Sequence, residues 1–577
     1  MDKRILIFLA LALVILWVTP RLFPAPPIAK RTVADSIAAL DTVHRAASES
    51  SAVAPAARVA QAAPTPHAAA DTTTIAGTSA RADTIAVRTS NATYRFSTRG
   101  AVPVGARMED FRAYSKGGGK VELAREGSPL LSYAVVSSGR DTLALDRTVF
   151  TVDTSARGAG GLPVLTFRGA LGGDTALVTY TFSPDSYLVR VQGSVRSAGS
   201  GAGAPRALVV SLPSGFRSTE ADSVEDERHL SYVVKSMRDD PQTIDFSKLD
   251  STVARTENGP LDWVASKNKY FLVALLADTV HSPFAGAVFQ GVARPAKTAA
   301  TRASGRVVEA LPPDGTFAFT LYMGPQEWRR LLALGRQLQN VNPHGWVFRP
   351  VVQPLITVVM RLLLWAHDFS RINYGWLVVI FGVAVRLLLW PLNQSAMRAQ
   401  LKMQQIQPEL QVIQKKFKST PDKLNAEMMR LYREHDMSPF TSLAGCVPML
   451  IPMPVLYALY FVFQDTIEFR GVSFLWMVDI SQRDPYYILP ILMAVSMFAL
   501  SWIGLRASPQ NSQAKMMAYT MPLVMVLFFY RLAAGLNLYY AVQNMAALPQ
   551  QWLIARERAK VGLPAATAGP AAGARAT

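Results

Sequence analysis

The chain has a single cysteine, Cys446, in 577 residues. One thiol excludes an intramolecular disulfide and any cysteine-rich metal site. Histidine is scarce as well: the seven residues at 44, 67, 229, 281, 344, 367 and 435 show neither H-x3-H nor HExxH spacing. No metal and no other cofactor is expected from such a set. Charged residues make up 17% of the chain, a low share beside the usual quarter. Acidic residues are outnumbered 41 to 59, for a net charge of +18. Such an excess raises the question of nucleic acid, but there is no compact basic domain and no RNA-binding motif rich in arginine and aromatics. No sequence-specific nucleic-acid partner is expected. What is abundant is apolar residues, half the chain, concentrated towards both ends. That placement argues against a wholly soluble enzyme, and the length requires more than one domain.

Asp2, Lys3 and Arg4 precede an apolar run from Ile5 to Val18. Residues 1–23 read as a transmembrane signal anchor whose basic end stays in the cytoplasm. Residues 24–90, rich in Ala, Ser, Thr and Pro, read as a disordered periplasmic linker. From 91 to 345 apolar residues alternate with polar ones in short runs, such as Ala92–Ser97, Leu177–Phe182, Tyr187–Val191 and Phe317–Tyr322. Period-two runs separated by Gly, Pro and Asp predict an all-β domain outside the cytoplasm, a sandwich. Gly117 to Gly119 before Lys120 lack Walker spacing and predict a hairpin turn. The acidic run from Glu220 to Glu227 reads as a solvated loop. No catalytic constellation is present, so an enzyme is not expected.

Residues 346–560 are apolar and helical in pattern. The stretch 351–367, interrupted by Arg361 and His367, predicts an amphipathic helix in the membrane interface. Segments 374–392, 443–463, 486–505, 516–532 and 536–553 have the length and composition of membrane spans. With the anchor they make a polytopic α-helical protein of six spans. Between residues 393 and 439 lie eight basic residues: Arg398, Lys402, Lys415, Lys416, Lys418, Lys423, Arg430 and Arg433. The loop 464–485 instead has Asp465, Glu468, Asp479 and Asp484 against Arg470 and Arg483. Positive residues collect on the cytoplasmic side, which places both termini there, the 561–577 tail included as a disordered segment, in a multi-pass membrane protein.

Arg386 is the residue that the apolar pattern does not explain. An arginine in the hydrocarbon costs on the order of 3 kcal/mol on insertion scales. Its head either leans out to the cytoplasmic interface or faces a wet cavity among helices. In the last apolar segment Asn537, Tyr540 and Asn544 recur at i, i+3 and i+7, with Tyr539 and Gln543 beside them. Such a polar stripe is either glue between helices or the wall of a hydrated groove. Residues 396–434 predict a cytoplasmic helical hairpin with Met397, Met403 and Met428 on an apolar side and Lys415 and Lys416 ending its first helix. A methionine-rich side can grip varied apolar segments, or it packs on its own bundle or on lipid headgroups.

In this order and spacing, Leu321–Pro325, Asn373–Trp376, Arg386 with Pro391 and Leu392, Lys402–Glu409, Gly445–Pro448, Asp479–Ser481, Asp484–Pro490, Met521–Pro522, Gly535–Leu536 and Tyr539–Asn544 resemble the YidC membrane protein insertases. Trp263 to Phe271 adds to the likeness in the soluble part. The form it resembles carries a large periplasmic domain. The resemblance implies a five-span core around a hydrophilic groove and a β-super-sandwich outside. Arg386 would attract acidic residues of a substrate, and Tyr540 would line the groove opposite. Implied partners are nascent membrane proteins, membrane lipids, the Sec translocon and the ribosome, with function as insertase and chaperone. Gly382 stands where relatives can carry a hydroxyl, Pro452 where a polar residue is expected, and Ala533 where a proline is expected. The rival readings are an anion or small-solute transporter using Arg386 and a membrane-anchored glycan-binding protein.

Overall fold

The computed structural model describes residues 82–137, 142–171, 174–197, 206–278, 283–295, 298–344, 348–391, 394, 406, 409–410, 412–413, 416–417, 420–434, 453–506 and 512–560. These fall into two compact units, one on either side of the Asn342–Pro343 bond.

The first unit is a large β-sandwich. Strands Thr84–Arg88, Ala92–Ser97, Val102–Arg112 and Lys120–Glu122 form a four-stranded antiparallel sheet. The later strands form a second sheet of fourteen. In Ala92–Ser97 the alternation works as the sequence pattern requires: Ala92, Tyr94 and Phe96 are buried. Phe271–Ala277 is buried on both faces, between Arg255–Lys267 and Thr316–Pro325, and reads accordingly as a continuous apolar run. Gly118 and Gly119, at φ 57° and 88°, turn the chain back towards Lys120–Glu122. That left-handed backbone favours glycine.

Two expectations are corrected here. Thr84–Arg88 is an edge strand registered on Thr93–Ser97, not part of the linker expected over 24–90. Thr84, Ala86 and Arg88 are polar or small enough to look like linker, and only Val87 is buried. The acidic run is not a solvated loop: it holds helix α1, Ser223–Arg228, capped by Asp222 accepting from the Glu225 backbone N–H. Asp226 turns inward, 2% exposed, where Asn268 Nδ2 and the Lys269 N–H donate to it. Alternation cannot reveal a carboxylate whose partners lie over forty residues away in the chain.

Glu309 is another buried carboxylate of this unit, 3% exposed. One oxygen accepts from the Ala318 N–H at 3.3 Å, and the other has no partner among the described residues. Burial, with Asp278 adding repulsion, pushes its carboxyl from 4.5 up to about 7. Between those two values the folded state binds more protons than the unfolded chain, so the unit loses stability as pH rises through that window. The expected result is a melting temperature that falls between about pH 5 and about pH 8 in the parent and falls less in Glu309→Gln. Parallel pH profiles of the two proteins would refute this assignment.

After the second short helix α2, Trp328–Leu334, the second unit is helical. It contains α3 (Arg349–Ser370), α4 (Tyr374–Leu388), α5 (Pro421–Glu434), α6 (Met453–Asp465), α7 (Ile488–Arg506), α8 (Ser512–Phe529) and α9 (Ala534–Lys560). Among the described residues, α3 alone is long and apolar enough to cross a membrane, the other apolar helices being shorter by the same measure. The stretch expected to lie along the interface is thus the longest apolar helix. One face, with Val352, Ile356, Val359, Met360, Leu363 and Leu364, is buried and α6 packs on it. The opposite face exposes Val351, Val358, Leu362, Trp365 and Phe369, which makes the helix apolar on both sides despite Arg361.

In the hairpin region, Ile406, Leu431 and Tyr432 form a small core with Leu410, Ile413 and Met428 packed on it. Met428 therefore packs within its own hairpin. Lys416 is exposed. Met397, Met403 and Lys415 lie outside the described residues, as do residues 443–452 of the expected third span, Pro452 among them.

Candidate functional site: a polar cavity beside Arg386

Helices α4, α7 and α9 pack together, α9 against both of the others. Between them and α6 lies a cavity of about 420 Å³. Its polar lining is Arg386, Ser501, Tyr539, Tyr540, Gln543, Asn544 and Gln551, and its apolar lining includes Val385, Leu389, Val455, Leu456 and Leu500. No carboxylate is among these residues. Among the described residues, the one formal charge on the cavity is thus the guanidinium.

The start of α9 is what sets these side chains in register. The Ala534 N–H donates to Gln482 O at 2.7 Å and the Gly535 N–H to Ile480 O at 2.8 Å. A Cβ on Gly535 would lie 3.3 Å from both Ile480 O and the Phe463 ring, so the close approach depends on glycine. The loop before α7 is itself held by buried carboxylates. Asp479 accepts from the Ser481 N–H and hydroxyl. Asp484, 1% exposed, accepts from Trp476 Nε1 and from the N–H groups of Tyr486 and Leu489. The last of these is one of the donors that a helix start leaves unpaired. In the sequence both aspartates count as acidic residues of the loop 464–485 and fall in quoted motifs; in the structure they brace the loop whose Ile480 and Gln482 carbonyls receive the start of α9.

The polar residues of α9 divide between two directions. Gln543 Nε2 donates to Gly382 O at 2.8 Å and to the Tyr539 hydroxyl at 3.0 Å. Gly382 is the close-approach position of α4: a Cβ there would lie 3.1 Å from Val542 Cγ1. Asn544 turns to α7, donating to Ser496 Oγ at 3.2 Å and Met493 O at 3.4 Å, while still lining the cavity. Asn537 is different. It is fully buried, and its Nδ2 donates to Phe529 O at 3.1 Å. It clamps the α8–α9 hairpin and is absent from the cavity wall, which is the helix-glue alternative for that residue. Tyr540 meets the Phe529 ring edge-on at 4.8 Å and lines the cavity with Tyr539.

Arg386 borders the cavity and does not stand free in it. Its Nη2 donates to Gln550 Oε1 at 2.8 Å, and its Nε is buried with no partner among the described residues. Sequence reasoning missed Gln550, Gln551 and Ser501. A signal existed for the first two, because Gln550 lies seven residues after Gln543 and Gln551 seven after Asn544. That spacing returns to the same helix face. Ser501 gave none, as hydroxyls are common in apolar helices.

Comparison with known proteins identifies the relatives. The profile described as YidC periplasmic domain matches residues 84–358, and the profile described as 60Kd inner membrane protein matches residues 365–561. A membrane protein insertase YidC of Prosthecochloris aestuarii is 32% identical over 410 residues, 67% of this chain and 68% of that protein. One of Burkholderia ambifaria is 32% identical over 415 residues, 70% of this chain and 71% of that one. A crystal structure of an active YidC insertase with its first transmembrane domain resolved aligns over 82% of this chain and 93% of its own, at 19% identity and a TM-score of 0.33. The two profiles together describe an inner-membrane protein with a periplasmic domain. By the identity and coverage of these relatives, the chain belongs to the YidC membrane protein insertase family.

Proposed function

We propose that this protein inserts integral membrane proteins into the bacterial inner membrane and assists their folding, using the cavity beside Arg386 as a hydrophilic groove. The reading is carried by one observation: a guanidinium borders a polar cavity that has no carboxylate among its described lining residues to neutralise it. Acidic residues of a nascent membrane protein supply that missing charge, and no bond is made or broken. The driving force is transfer of the substrate's apolar segment from water to lipid, about 25 cal/mol per Å². The groove lowers the cost of carrying short polar flanks, which is on the order of 2–7 kcal/mol for an unpaired polar group in an apolar medium. Tyr539, Tyr540, Gln543 and Asn544 provide hydrogen-bonding groups along that path.

In this arrangement the β-sandwich is periplasmic, both termini and the hairpin are cytoplasmic, and residues 1–23 anchor the chain. The exposed apolar face of α3 meets lipid. The protein works alone or beside the Sec translocon, with the ribosome as a further partner. Proteoliposomes containing the purified protein test the reading with a single-span substrate bearing an acidic periplasmic tail. The tail should become protected from external protease only when the protein is present. Protection no greater than in empty liposomes, while a control insertase succeeds, would remove independent insertion as its activity.

A further inference from the structure

Gln550 is 2% exposed on α9, and both ends of its amide are engaged. Oε1 accepts from Arg386 Nη2 at 2.8 Å, and Nε2 donates to Trp390 O at 3.3 Å. Trp390 lies two residues past Leu388, the last residue of α4. Chemistry fixes which way the amide points. The reverse orientation would set its NH2 against a guanidinium that has only donors, and its oxygen against a carbonyl. The α4 terminus therefore holds the amide with its oxygen towards Arg386.

We infer that Gln550 is the positioning residue of the groove: it holds the Arg386 guanidinium at the cavity wall without cancelling its charge. This rests on the reading of Arg386 as the carboxylate contact. A neutral acceptor takes one of the guanidinium's five donors and leaves the charge whole. The Nε is buried with no partner among the described residues, and the guanidinium keeps further N–H donors for a substrate carboxylate. A glutamate in the same place would form a closed ion pair and compete with the substrate. An apolar residue would release a long side chain that must then be ordered again each time it meets a substrate. Glutamine is the side chain that orients the guanidinium and leaves it available.

Two measurements on the full-length protein decide it. The first is a double-mutant cycle of Arg386→Met and Gln550→Met, read as melting temperature in detergent. Each single change strands one buried polar partner, whereas the double change strands neither. The double variant is expected to lose less than the sum of the two single losses; additive losses overturn the pairing. The second is the ratio of protease-protected substrate with an acidic tail to that with a neutral tail. In Gln550→Glu this ratio is expected to fall about tenfold, equivalent to about 1.4 kcal/mol. A ratio equal to the parent's, including one where both tails fall together, overturns the positioning role and leaves Gln550 as a packing residue. Should the glutamate variant fail to reach the membrane, Gln550→Met carries the same test with a fall in the same direction. If the parent protein inserts neither tail, the insertase reading fails by itself, and the cycle alone then supports or overturns the hold on Arg386.

Discussion

Arg386→Ala is expected to reduce insertion of a single-span substrate with an acidic tail about tenfold or more, since a hydrogen bond to a charged partner is worth about 1.5–3 kcal/mol and each 1.4 kcal/mol is tenfold. Among the described residues, the guanidinium is the only formal charge on a cavity lined by Ser501, Tyr539, Tyr540, Gln543, Asn544 and Gln551. Its loss leaves polar groups but no attraction for a carboxylate. The measurement is protease protection in proteoliposomes, with Arg386→Lys beside it. Lysine keeps the charge but has a shorter reach to Gln550, so it should recover part of the activity. Undiminished insertion by Arg386→Ala would return Arg386 to the other alternative posed by the sequence, a side chain that only leans towards the interface.

Trp263→Ala has the largest expected effect on stability, about 3–5 kcal/mol, the usual range for truncating a buried tryptophan. Trp263 is fully buried, and its Nε1 donates to Arg336 O at 2.9 Å. Arg336 has φ 54°, a backbone conformation uncommon outside glycine. It is held there from three directions, by Trp263, by donation of its Nη2 to Ala277 O at 2.8 Å, and by an ion pair with Asp262 at 3.2 Å. The indole thus ties strand Arg255–Lys267 to the segment that follows α2. Removing it opens a cavity and strands the Arg336 carbonyl at once. Denaturant unfolding should show the loss, and limited proteolysis should show earlier cleavage between Arg329 and Asn342 than in the parent. Trp263→Phe, which keeps most of the volume, should cost about 1 kcal/mol through the lost hydrogen bond. Equal losses from the two variants would show that packing contributes little at this site.

The β unit was legible because its signals are local. Tyr94 and Phe96 alternate with polar neighbours, and the uninterrupted apolar run Phe271–Ala277 marks a strand covered on both faces. Thr84–Arg88 was not legible, since an edge strand with one buried residue carries almost no periodic signal. Asp226 was misread because charge predicts solvation unless the partners are known, and its partners come from Asn268 and Lys269. The polar stripe of α9 was legible as a stripe but not as two faces with different duties. One turn of helix separates Tyr540, on the cavity, from Asn537, buried against Phe529.

By itself the sequence determined the kinds of structure and their order: alternation made strands, long apolar runs made helices, and one arginine stood where hydrocarbon was expected. Those are properties of composition and short-range spacing, set by which atoms leave water. The tertiary structure decided the pairings. Arg386 and Gln550 are 164 residues apart, and Gln543 and Gly382 are 161 apart. Turning a helix by one residue, about 100°, would send each side chain to a different neighbour. Periodicity gives the face of a helix but not the rotation at which it docks. That rotation comes from the close approach of Gly382 to Val542 and from the loop that holds the start of α9, and it is what brings a neutral amide to the one charge in the cavity.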